Sequence, residues 1–274
     1  MSDDKAQAVE VLSVHQWVPT LFSFRVSRPS GFKFTAGQFV RLGLNPAQLK
    51  HFYQAPFLLR GVPDERIFRA YSVASSPFDA FLEFFSVVIP DGAFTSRLQY
   101  LQVGDTLWLN PTPFGYLTLA RYQQPAPNDL WLLATGTGLA PFLSMLQTLE
   151  VWTQYQTIVL VYSARTAQEL AYQAQISELA ATYQAYTEGQ AAQFFYVPIV
   201  TREAGAGQFS QRLPALIANH ALENALGQSL SAASSHVMLC GNPQMVADTK
   251  AALQSRGLTM NRRGEGNIAV ENYW

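Results

Sequence analysis

The second half of the chain alternates continuous apolar runs with segments of helical pattern, and this alternation restricts the possible folds more than any other feature. Helices are predicted over residues 142–150, 168–183 and 214–219, and after residue 243 as far as about 255. The apolar runs are residues 129–135 (DLWLLAT), 157–163 (TIVLVYS), 194–201 and 236–240 (HVMLC). Strands that are apolar throughout are typical of a parallel sheet covered by helices on both faces. The pattern therefore predicts a parallel α/β domain.

The first half has short segments rich in aromatic and β-branched residues, separated by turn residues: 21–26, 38–44, 69–73 and 82–88. Such segments predict a small antiparallel β-barrel. A short helix is expected from Thr95 and Ser96, whose hydroxyls are suited to capping it. Residues 45–67 show no clear period and are expected to form an irregular insertion. The Pro- and Gln-rich residues 122–128 separate the halves, which predicts domains 1–124 and 125–274.

Composition narrows the function classes. The 274 residues are enough for two domains, and the net charge of −1 gives no bulk attraction to nucleic acid or to an anionic membrane. No apolar run is long enough to span a bilayer, and the first ten residues resemble neither a signal nor a transit peptide, so we expect a cytoplasmic protein. The single cysteine, Cys240, excludes an internal disulfide and a plant-type [2Fe–2S] cluster. No metal site is expected, and electron transfer would require an organic cofactor or a bound partner.

A glycine-containing segment, Gly136-Thr137-Gly138-Leu139-Ala140-Pro141, follows the first apolar run and precedes a helix. Glycines allow close backbone approach, and the free N–H groups at a helix start attract anions. The third glycine of the full dinucleotide fingerprint is absent, and Pro141 near its place is suited to the first helical turn. The segment alone predicts either a phosphate-binding loop or a tight turn before a helix.

Arginines follow two of the apolar runs. Arg165 comes after the second run and Arg202 after the third, and Arg212 lies a short distance further on. Enzymes that prefer NAD usually have an acidic residue after the second strand, where it binds the ribose 2′-OH. One such arginine is more typical of a solvated surface, but two at matching strand ends favour a 2′-phosphate and hence NADP.

The segment Arg69-Ala70-Tyr71-Ser72 lies on a predicted strand of the first half. It offers a guanidinium for a pyrophosphate, a ring for stacking and a hydroxyl for hydrogen bonding. An ordinary strand with alternating exposure is the other interpretation.

Four segments occur in one order along the chain: Arg69-Ala70-Tyr71-Ser72, Gly136 to Pro141, Cys240-Gly241-Asn242-Pro243 and the ending Val270-Glu271-Asn272-Tyr273-Trp274. Together they resemble the bacterial ferredoxin/flavodoxin–NADP reductases over nearly the whole chain. The resemblance implies a six-stranded antiparallel barrel that binds FAD, followed by a parallel α/β domain that binds NADP(H), with the active site in the cleft between them. It also implies hydride transfer from NADPH to flavin N5 and electron transfer to ferredoxin or flavodoxin. We expect a monomer.

The resemblance also assigns roles to individual residues. In the barrel, Arg69 should bind the FAD pyrophosphate, Tyr71 should stack on the isoalloxazine ring and Ser72 should hydrogen-bond near flavin N5. Backbone N–H groups and a hydroxyl should reach the pyrophosphate from a second segment, which consists of Gly92, Ala93, Phe94 and Thr95.

In the second half, the nicotinamide and pyrophosphate path should be lined by Gly136, Thr137 and Gly138, and the 2′-phosphate should be bound by Arg165, Arg202 and Arg212. Cys240 should position the nicotinamide near its C4, although a small buried apolar residue is an equal interpretation. Glu271 should assist proton movement, Tyr273 should cover the flavin face and Trp274 should stack on the FAD adenine; a simple apolar anchor is the alternative for this tail.

Two other functions stay open at this point. A free-flavin reductase or a stand-alone oxygenase reductase would share the flavin site, and a flavin-binding sensor would need no nicotinamide site. An acidic carrier would require a local basic docking surface, for which the candidates are Lys50, Arg60, Arg66, Arg97, Arg262 and Arg263.

Overall fold

A computed structural model describes residues 3, 5–60, 65–123, 127–203 and 205–272, with the side chain of residue 59 excepted. The chain divides into two compact units, Met1–Gly115 and Tyr116–Trp274. The sequence placed the division at 124/125, nearer to the proline-rich segment. Residues 116–123 group with the second unit because their side chains bond to it: the hydroxyl of Tyr122 donates to the carbonyl oxygens of Val237 and Asn267.

The first unit contains a six-stranded antiparallel sheet in the order β4-β3-β6-β1-β2-β5. An antiparallel bridge between Val73 and Phe84 joins the two end strands, so that the sheet closes into a barrel. This confirms the predicted barrel. The strands are β1 (Gln7–Val18), β2 (Leu21–Ser27), β3 (Phe39–Leu44), β4 (Ile67–Ser72), β5 (Phe81–Val87) and β6 (Thr106–Leu109), with helices α1 (Lys50–Gln54) and α2 (Thr95–Leu98).

Alternate residues of neighbouring strands fill the barrel interior. Phe24 of β2 lies opposite Phe84 of β5, with ring centroids 5.5 Å apart, and Val26 lies opposite Leu82. All four side chains are buried. Side chains on a strand alternate between its two faces, so this register places one apolar set inside the barrel.

The insertion at residues 45–67 is more ordered than expected. It contains α1 and two 3₁₀ helices, Pro46–Gln48 and Pro56–Leu59. Leu49 and Phe52 are buried in the barrel core, and the backbone N–H of Lys50 donates to Asp105. The expectation of an irregular segment was wrong, because two buried residues anchor elements that are too short to show a period.

The predicted short helix is present as α2, but its hydroxyls do not cap it. Thr95 Oγ1 instead accepts a hydrogen bond from the N–H of Ile89 (2.9 Å), and the hydroxyl of Ser96 donates to the carbonyl of Gly92 (2.5 Å). Both hydroxyls thus close the turn that precedes the helix.

The second unit contains a five-stranded parallel sheet in the order β11-β10-β7-β8-β9. This confirms the predicted α/β class. The strands are β7 (Asp129–Thr135), β8 (Thr157–Ala164), β9 (Gln193–Val200), β10 (Ser235–Gly241) and β11 (Ile268–Asn272). The helices are α3 (Ala140–Leu146), α4 (Leu149–Gln154), α5 (Gln173–Tyr186), α6 (Leu213–Ala218), α7 (Ala221–Leu226) and α8 (Pro243–Ser255). Among the described helices, none combines the length and the hydropathy that a membrane span requires.

Several elements of this unit differ from the prediction: α7 was not expected, and α5 begins at Gln173 rather than near residue 168. The single helix expected over residues 142–150 begins earlier and is divided into α3 and α4, because Thr148 between them is extended. Part of the expected tail forms β11, which pairs with β10 from Val237 to Gly241.

The strand order creates a switch point between β7 and β10. From β7 the chain proceeds to β8 and β9 on one side, and it then returns to β10 and β11 on the other side. In open α/β sheets, ligands bind at the carboxyl ends of the strands where the order reverses. The ends of β7 and β10 are therefore the expected ligand site of this unit.

His236 of β10 is buried, and the structure makes its stability contribution pH-dependent. Its ring stacks on Tyr122 with centroids 3.6 Å apart, and its Nδ1 shares a hydrogen bond with the hydroxyl of Tyr155 (2.9 Å). Burial lowers the pKa of His236 from 6.5 to about 4. The folded protein therefore holds this ring neutral over a pH range in which the unfolded chain protonates it.

We expect the free energy of unfolding to fall as the pH decreases from 6.5 to 4, because only the unfolded chain binds this proton there. The loss should be about 1–3 kcal/mol, since one pKa unit corresponds to about 1.4 kcal/mol. Urea unfolding at a series of pH values gives the free energy of unfolding against pH for the protein and for His236→Phe. The difference between these two curves measures the contribution of His236. A difference that is constant between pH 7 and pH 4 would show that His236 does not cause the decline.

Candidate functional site

Tyr71 of β4 is held rigidly in the wall of the barrel. Its ring packs against Phe24, Phe84 and Phe94, with centroid distances of 6.2, 6.1 and 5.7 Å. Its hydroxyl shares a hydrogen bond of 2.9 Å with Ser86. Burial raises the pKa of the Tyr71 hydroxyl above its usual range, so the group is neutral. The side chain is half-buried, which leaves part of a fixed ring available for stacking.

The rest of the Arg69-Ala70-Tyr71-Ser72 segment alternates in exposure as a strand should. Arg69 and Ala70 are exposed, whereas Ser72 is buried. The guanidinium of Arg69 donates to the carbonyl of Phe68 (2.8 Å), and among the described residues it forms no ion pair with a carboxylate. Its charge is therefore available to an anionic group.

The second expected flavin segment lies beside Tyr71, because Phe94 is a buried core residue in contact with the Tyr71 ring. The N–H of Gly92 is already bonded to the carbonyl of Ile89 (2.9 Å), so this donor is not available to a ligand. Ala93 is exposed. The hydroxyl of Thr95 accepts from Ile89 and keeps its own proton for donation.

In the second unit, the ends of β7 and β10 are in direct backbone contact. A Cβ added to Gly138 would overlap the carbonyl oxygen of Cys240 and would lie 2.6 Å from the Cα of Gly241. A Cβ added to Gly241 would overlap the side-chain oxygen of Thr135. That same oxygen accepts a hydrogen bond from the N–H of Asn242 (3.0 Å). The two glycines therefore allow the two segments to meet at the switch point.

Gly136 faces open space at this junction. Its φ is +52°, and no atom lies within 4 Å of the position that a Cβ would occupy. Gly136 opens a 3₁₀ turn, Gly136–Leu139, that leads directly into α3, and Pro141 lies in the first turn of that helix as predicted. Thr137 is buried in the turn. The structure thus shows the tight turn before a helix, and the phosphate-binding role of its open side stays a prediction.

Cys240 and Glu271 lie side by side in neighbouring parallel strands. Cys240 of β10 is in register with Ala134 of β7 on one side and with Glu271 of β11 on the other. Cys240 is the single cysteine of the sequence and is fully buried, and Glu271 is half-buried. Tyr273 and Trp274, to which the sequence assigned contacts with the flavin and the adenine, lie outside the described residues.

The arginines at the ends of the next two strands are also brought together. The N–H of Arg202 donates to the carbonyl of Arg165 (2.8 Å), which joins the loops that follow β8 and β9. Arg212 is exposed at the start of α6 and follows Phe209, which forms a parallel bridge with Ile199 of β9.

Arg165 is already engaged in an ion pair. Its Nε donates to Oε1 of Glu169 (2.9 Å), and its Nη2 donates to the same oxygen (2.5 Å). Burial alone would raise the pKa of Glu169, but the bonds from Arg165 outweigh that effect and lower it. The same bonds raise the pKa of Arg165.

Comparison with known proteins places this arrangement in a family. Two curated relatives are the ferredoxin–NADP reductase of Pseudomonas aeruginosa, 37% identical over 264 residues and 95% of each chain, and the flavodoxin/ferredoxin–NADP reductase of Escherichia coli, 38% identical over 267 residues and 97% of each chain. The chain belongs to the ferredoxin/flavodoxin–NADP reductase family. The resemblance inferred from its sequence segments is thereby confirmed.

Further matches agree with this family. Residues 132–251 match the model of the oxidoreductase NAD-binding domain. A ferredoxin NADP⁺ reductase from Neisseria gonorrhoeae, solved with bound FAD and NADP, superposes with a TM-score of 0.83 at 35% identity over 98% of both chains.

Three residues that bond to candidate site residues or segments were not predicted from the sequence: Ser86, Thr135 and Glu169. Ser86 and Thr135 are ordinary strand residues whose partners are distant along the chain. Glu169 had a visible signal, because it lies four residues after Arg165, a spacing at which opposite charges meet on a helical turn.

The basic residues proposed for carrier docking fall into two groups. Lys50, Arg66 and Arg97 are engaged within the first unit: Lys50 donates to the carbonyl of Val103, Arg66 lies 3.3 Å over the ring of Trp108, and Arg97 donates to Ser96. The exposed residues Arg60, Arg262 and Arg263 form no ion pair with a described carboxylate.

We expect Gly138→Ala to destabilise the second unit, because the added methyl group overlaps main-chain atoms that cannot rotate away. Overpacking of this kind costs about 1–3 kcal/mol, and the displaced junction should also weaken nucleotide binding. Urea unfolding and titration with NADP⁺ measure the two effects.

Gly189→Ala is the matched control, since Gly189 has a φ of +82° and open space around its Cβ position. The backbone strain that the new Cβ introduces should lower the free energy of unfolding by only about 1 kcal/mol. Nucleotide binding should be unchanged. Equal nucleotide affinity in both variants would contradict the proposed role of the junction.

Proposed function

We propose that this chain is a FAD-containing oxidoreductase that transfers electrons between NADPH and a one-electron carrier, ferredoxin or flavodoxin. The relatives' names state this activity, and the related structure from Neisseria gonorrhoeae contains FAD and NADP. The observation that carries the proposal is the glycine junction at the switch point, which brings the ends of β7 and β10 into contact and leaves Gly136 facing open space. In open α/β sheets this is the position at which a dinucleotide binds.

The residues of the barrel fit FAD. Tyr71 offers a braced ring for the isoalloxazine, and Arg69 offers an exposed guanidinium without a described ion-pair partner for the pyrophosphate. The hydroxyl proton of Thr95 is a further donor to the pyrophosphate. Because the Tyr71 hydroxyl is bonded to Ser86, the ring keeps its orientation before the cofactor binds, which lowers the entropic cost of stacking.

The second unit fits NADP(H). Gly136 to Gly138 would admit the pyrophosphate to the open side of the turn, and Arg165, Arg202 and Arg212 would bind the 2′-phosphate. The loops carrying Arg165 and Arg202 are bonded to each other, so the two guanidinium groups start from one rigid edge of the sheet.

The chain contributes orientation and proton handling to the reaction. FAD, when bound, supplies the chemistry that accepts a hydride and passes electrons on singly. Ser72 would donate a hydrogen bond near flavin N5, and Cys240 would pack beside the nicotinamide end of the nucleotide site. Glu271, in register with Cys240, would hold or release a proton next to the reacting groups. Tyr273 would cover the flavin face and Trp274 would stack on the adenine.

We expect the purified protein to be yellow and to release about one FAD per chain on acid or heat denaturation, because no residue of the site is proposed to bond FAD covalently. NADPH should bleach the bound flavin faster than NADH, since the arginines favour the 2′-phosphate. Absorbance at the flavin band and chromatography of the released cofactor measure both. A colourless protein that binds no added FAD would end this proposal.

The carrier should dock through local positive charge, because ferredoxins and flavodoxins are strongly acidic whereas this chain has a net charge of −1. Complementary charge mainly raises the association rate and is screened by salt. We expect carrier reduction at limiting carrier concentration to fall steeply as ionic strength rises, while reduction of a small neutral dye hardly changes.

Replacing Arg262 and Arg263 by glutamate should reproduce that fall at low salt without affecting dye reduction. Both residues are exposed, and neither forms an ion pair with a described carboxylate. Carrier reduction that is insensitive to salt, or unaffected by the reversal, would place the docking surface elsewhere.

A further inference from the structure

Glu169 places a carboxylate at the carboxyl end of β8, the second strand of the parallel sheet in chain order. Its Oε2 accepts a hydrogen bond from the backbone N–H of Arg165 (3.0 Å), and its side chain is only 15% exposed. In dinucleotide-binding sheets, an acidic side chain near this position binds the 2′-OH of the NAD ribose. The chain therefore contains an acceptor typical of NAD enzymes beside an arginine typical of NADP enzymes.

In the native chain, Arg165 occupies this carboxylate. Its Nε lies within hydrogen-bond distance of both carboxylate oxygens, at 2.9 and 3.1 Å, and its Nη2 bonds Oε1. Together with the backbone bond, these contacts use the acceptor positions that a ribose hydroxyl would require. The other end of the guanidinium, Nη1, has no described acceptor and is available to an incoming anion.

We propose that Glu169 is a masked determinant of nucleotide specificity: Arg165 covers it and presents positive charge to the 2′-phosphate of NADP(H), whereas removal of the Arg165 side chain exposes a carboxylate that accepts the 2′-hydroxyl of NAD(H). This inference rests on the proposed function, in particular on the assignment of Arg165 to the 2′-phosphate.

The carboxylate should keep its position when the arginine side chain is removed. The bond from the N–H of residue 165 belongs to the main chain and survives in Arg165→Ala. The carbonyl of Glu169 also accepts a hydrogen bond from the hydroxyl of Tyr162 (3.1 Å), which fixes the turn Ala167–Glu169. The exposed charge would then attract a hydroxyl donor and repel a phosphate.

The test uses the FAD-bound protein as wild type, Arg165→Ala, Glu169→Ala and the double variant Arg165→Ala/Glu169→Ala. Two further double variants, named below, serve as controls. Calorimetric titration at pH 8 with NAD⁺ and NADP⁺, and with AMP and 2′-phospho-AMP as fragments, measures binding at the ribose end apart from turnover. The kcat/KM values for NADH and NADPH provide the second readout.

We expect Arg165→Ala to weaken the binding of NADP⁺ and 2′-phospho-AMP by about tenfold to a hundredfold and to strengthen the binding of NAD⁺ and AMP by about tenfold. A hydrogen bond to a charged group changes binding by factors of this size. Arg165→Ala/Glu169→Ala should lose the gain in NAD⁺ affinity and should still bind NADP⁺ weakly. Arg165→Ala/Glu169→Gln, which keeps the shape of the side chain, should retain only part of the gain. Flavin content per chain verifies that each variant is folded.

Glu203 supplies the matched control. It is an exposed carboxylate in the neighbouring loop that accepts a hydrogen bond from the N–H of Ala167 (2.9 Å), and no bond joins it to Arg165. Arg165→Ala/Glu203→Ala should keep the full gain for NAD⁺; loss of the gain there would assign it to Glu203 and overturn the inference.

The two proposals fail differently. The inference about Glu169 is wrong if Arg165→Ala weakens NADP⁺ binding but leaves the binding of NAD⁺ and AMP unchanged. It is also wrong if the gain in NAD⁺ affinity persists in Arg165→Ala/Glu169→Ala. In both cases the proposed function stands. If Arg165→Ala leaves NADP⁺ binding unchanged, the assignment of Arg165 to the 2′-phosphate is wrong, and the inference fails with it.

Discussion

The main-chain contact between Gly138 and the end of β10 is the constraint on which the arrangement of the second unit depends. No side chain separates the turn after β7 from the carbonyl of Cys240, and Gly241 approaches Thr135 from the other strand in the same way. A parallel sheet buries its strands but leaves their carboxyl ends open. Because these two ends touch through glycines, the start of α3 and the start of α8 lie beside each other at the carboxyl edge of the sheet.

In the barrel, the corresponding constraint is the aromatic packing around one tyrosine. The ring of Tyr71 is in contact with Phe24, Phe84 and Phe94, which come from two other strands and from the segment before α2. The bond from its hydroxyl to Ser86 satisfies a polar group that would otherwise be costly to bury. A single side chain thus belongs to the core packing and keeps part of its ring exposed.

Most of the architecture was predictable because it rests on periodicity. Apolar runs identified β7, β8, β9 and β10, and the class of each domain followed from the contrast between the two halves. Elements stabilised by distant contacts were missed. Strand β11 forms because it pairs with β10, and α1 persists because Leu49 and Phe52 reach the barrel core. Neither element is long enough to show a period of its own.

The candidate site was predictable to the extent that residue type indicates chemistry. Arg69 is exposed, Tyr71 is half-buried and Gly138 lies at the switch point, and the ligand roles that the sequence suggested for them stay predictions. What each residue bonds to was not accessible from the sequence: the hydroxyl of Thr95 was expected to cap a helix, and it accepts from Ile89 instead. Short-range hydroxyl bonds of this kind compete with one another, and small differences in backbone geometry decide between them.

Ion pairing separates the arginines that hold the fold from those available to ligands. Arg25 pairs with Glu83 and Arg256 with Glu223, whereas among the described residues Arg69, Arg202 and Arg212 pair with no carboxylate. Arg165 is paired and half-exposed, as Arg25 is, and what distinguishes it is its position at the carboxyl end of β8. A pair that is this accessible to water contributes only about 0–1 kcal/mol to stability. Its main consequence is geometric: the carboxylate holds one edge of a planar guanidinium, and the opposite edge therefore points in a fixed direction.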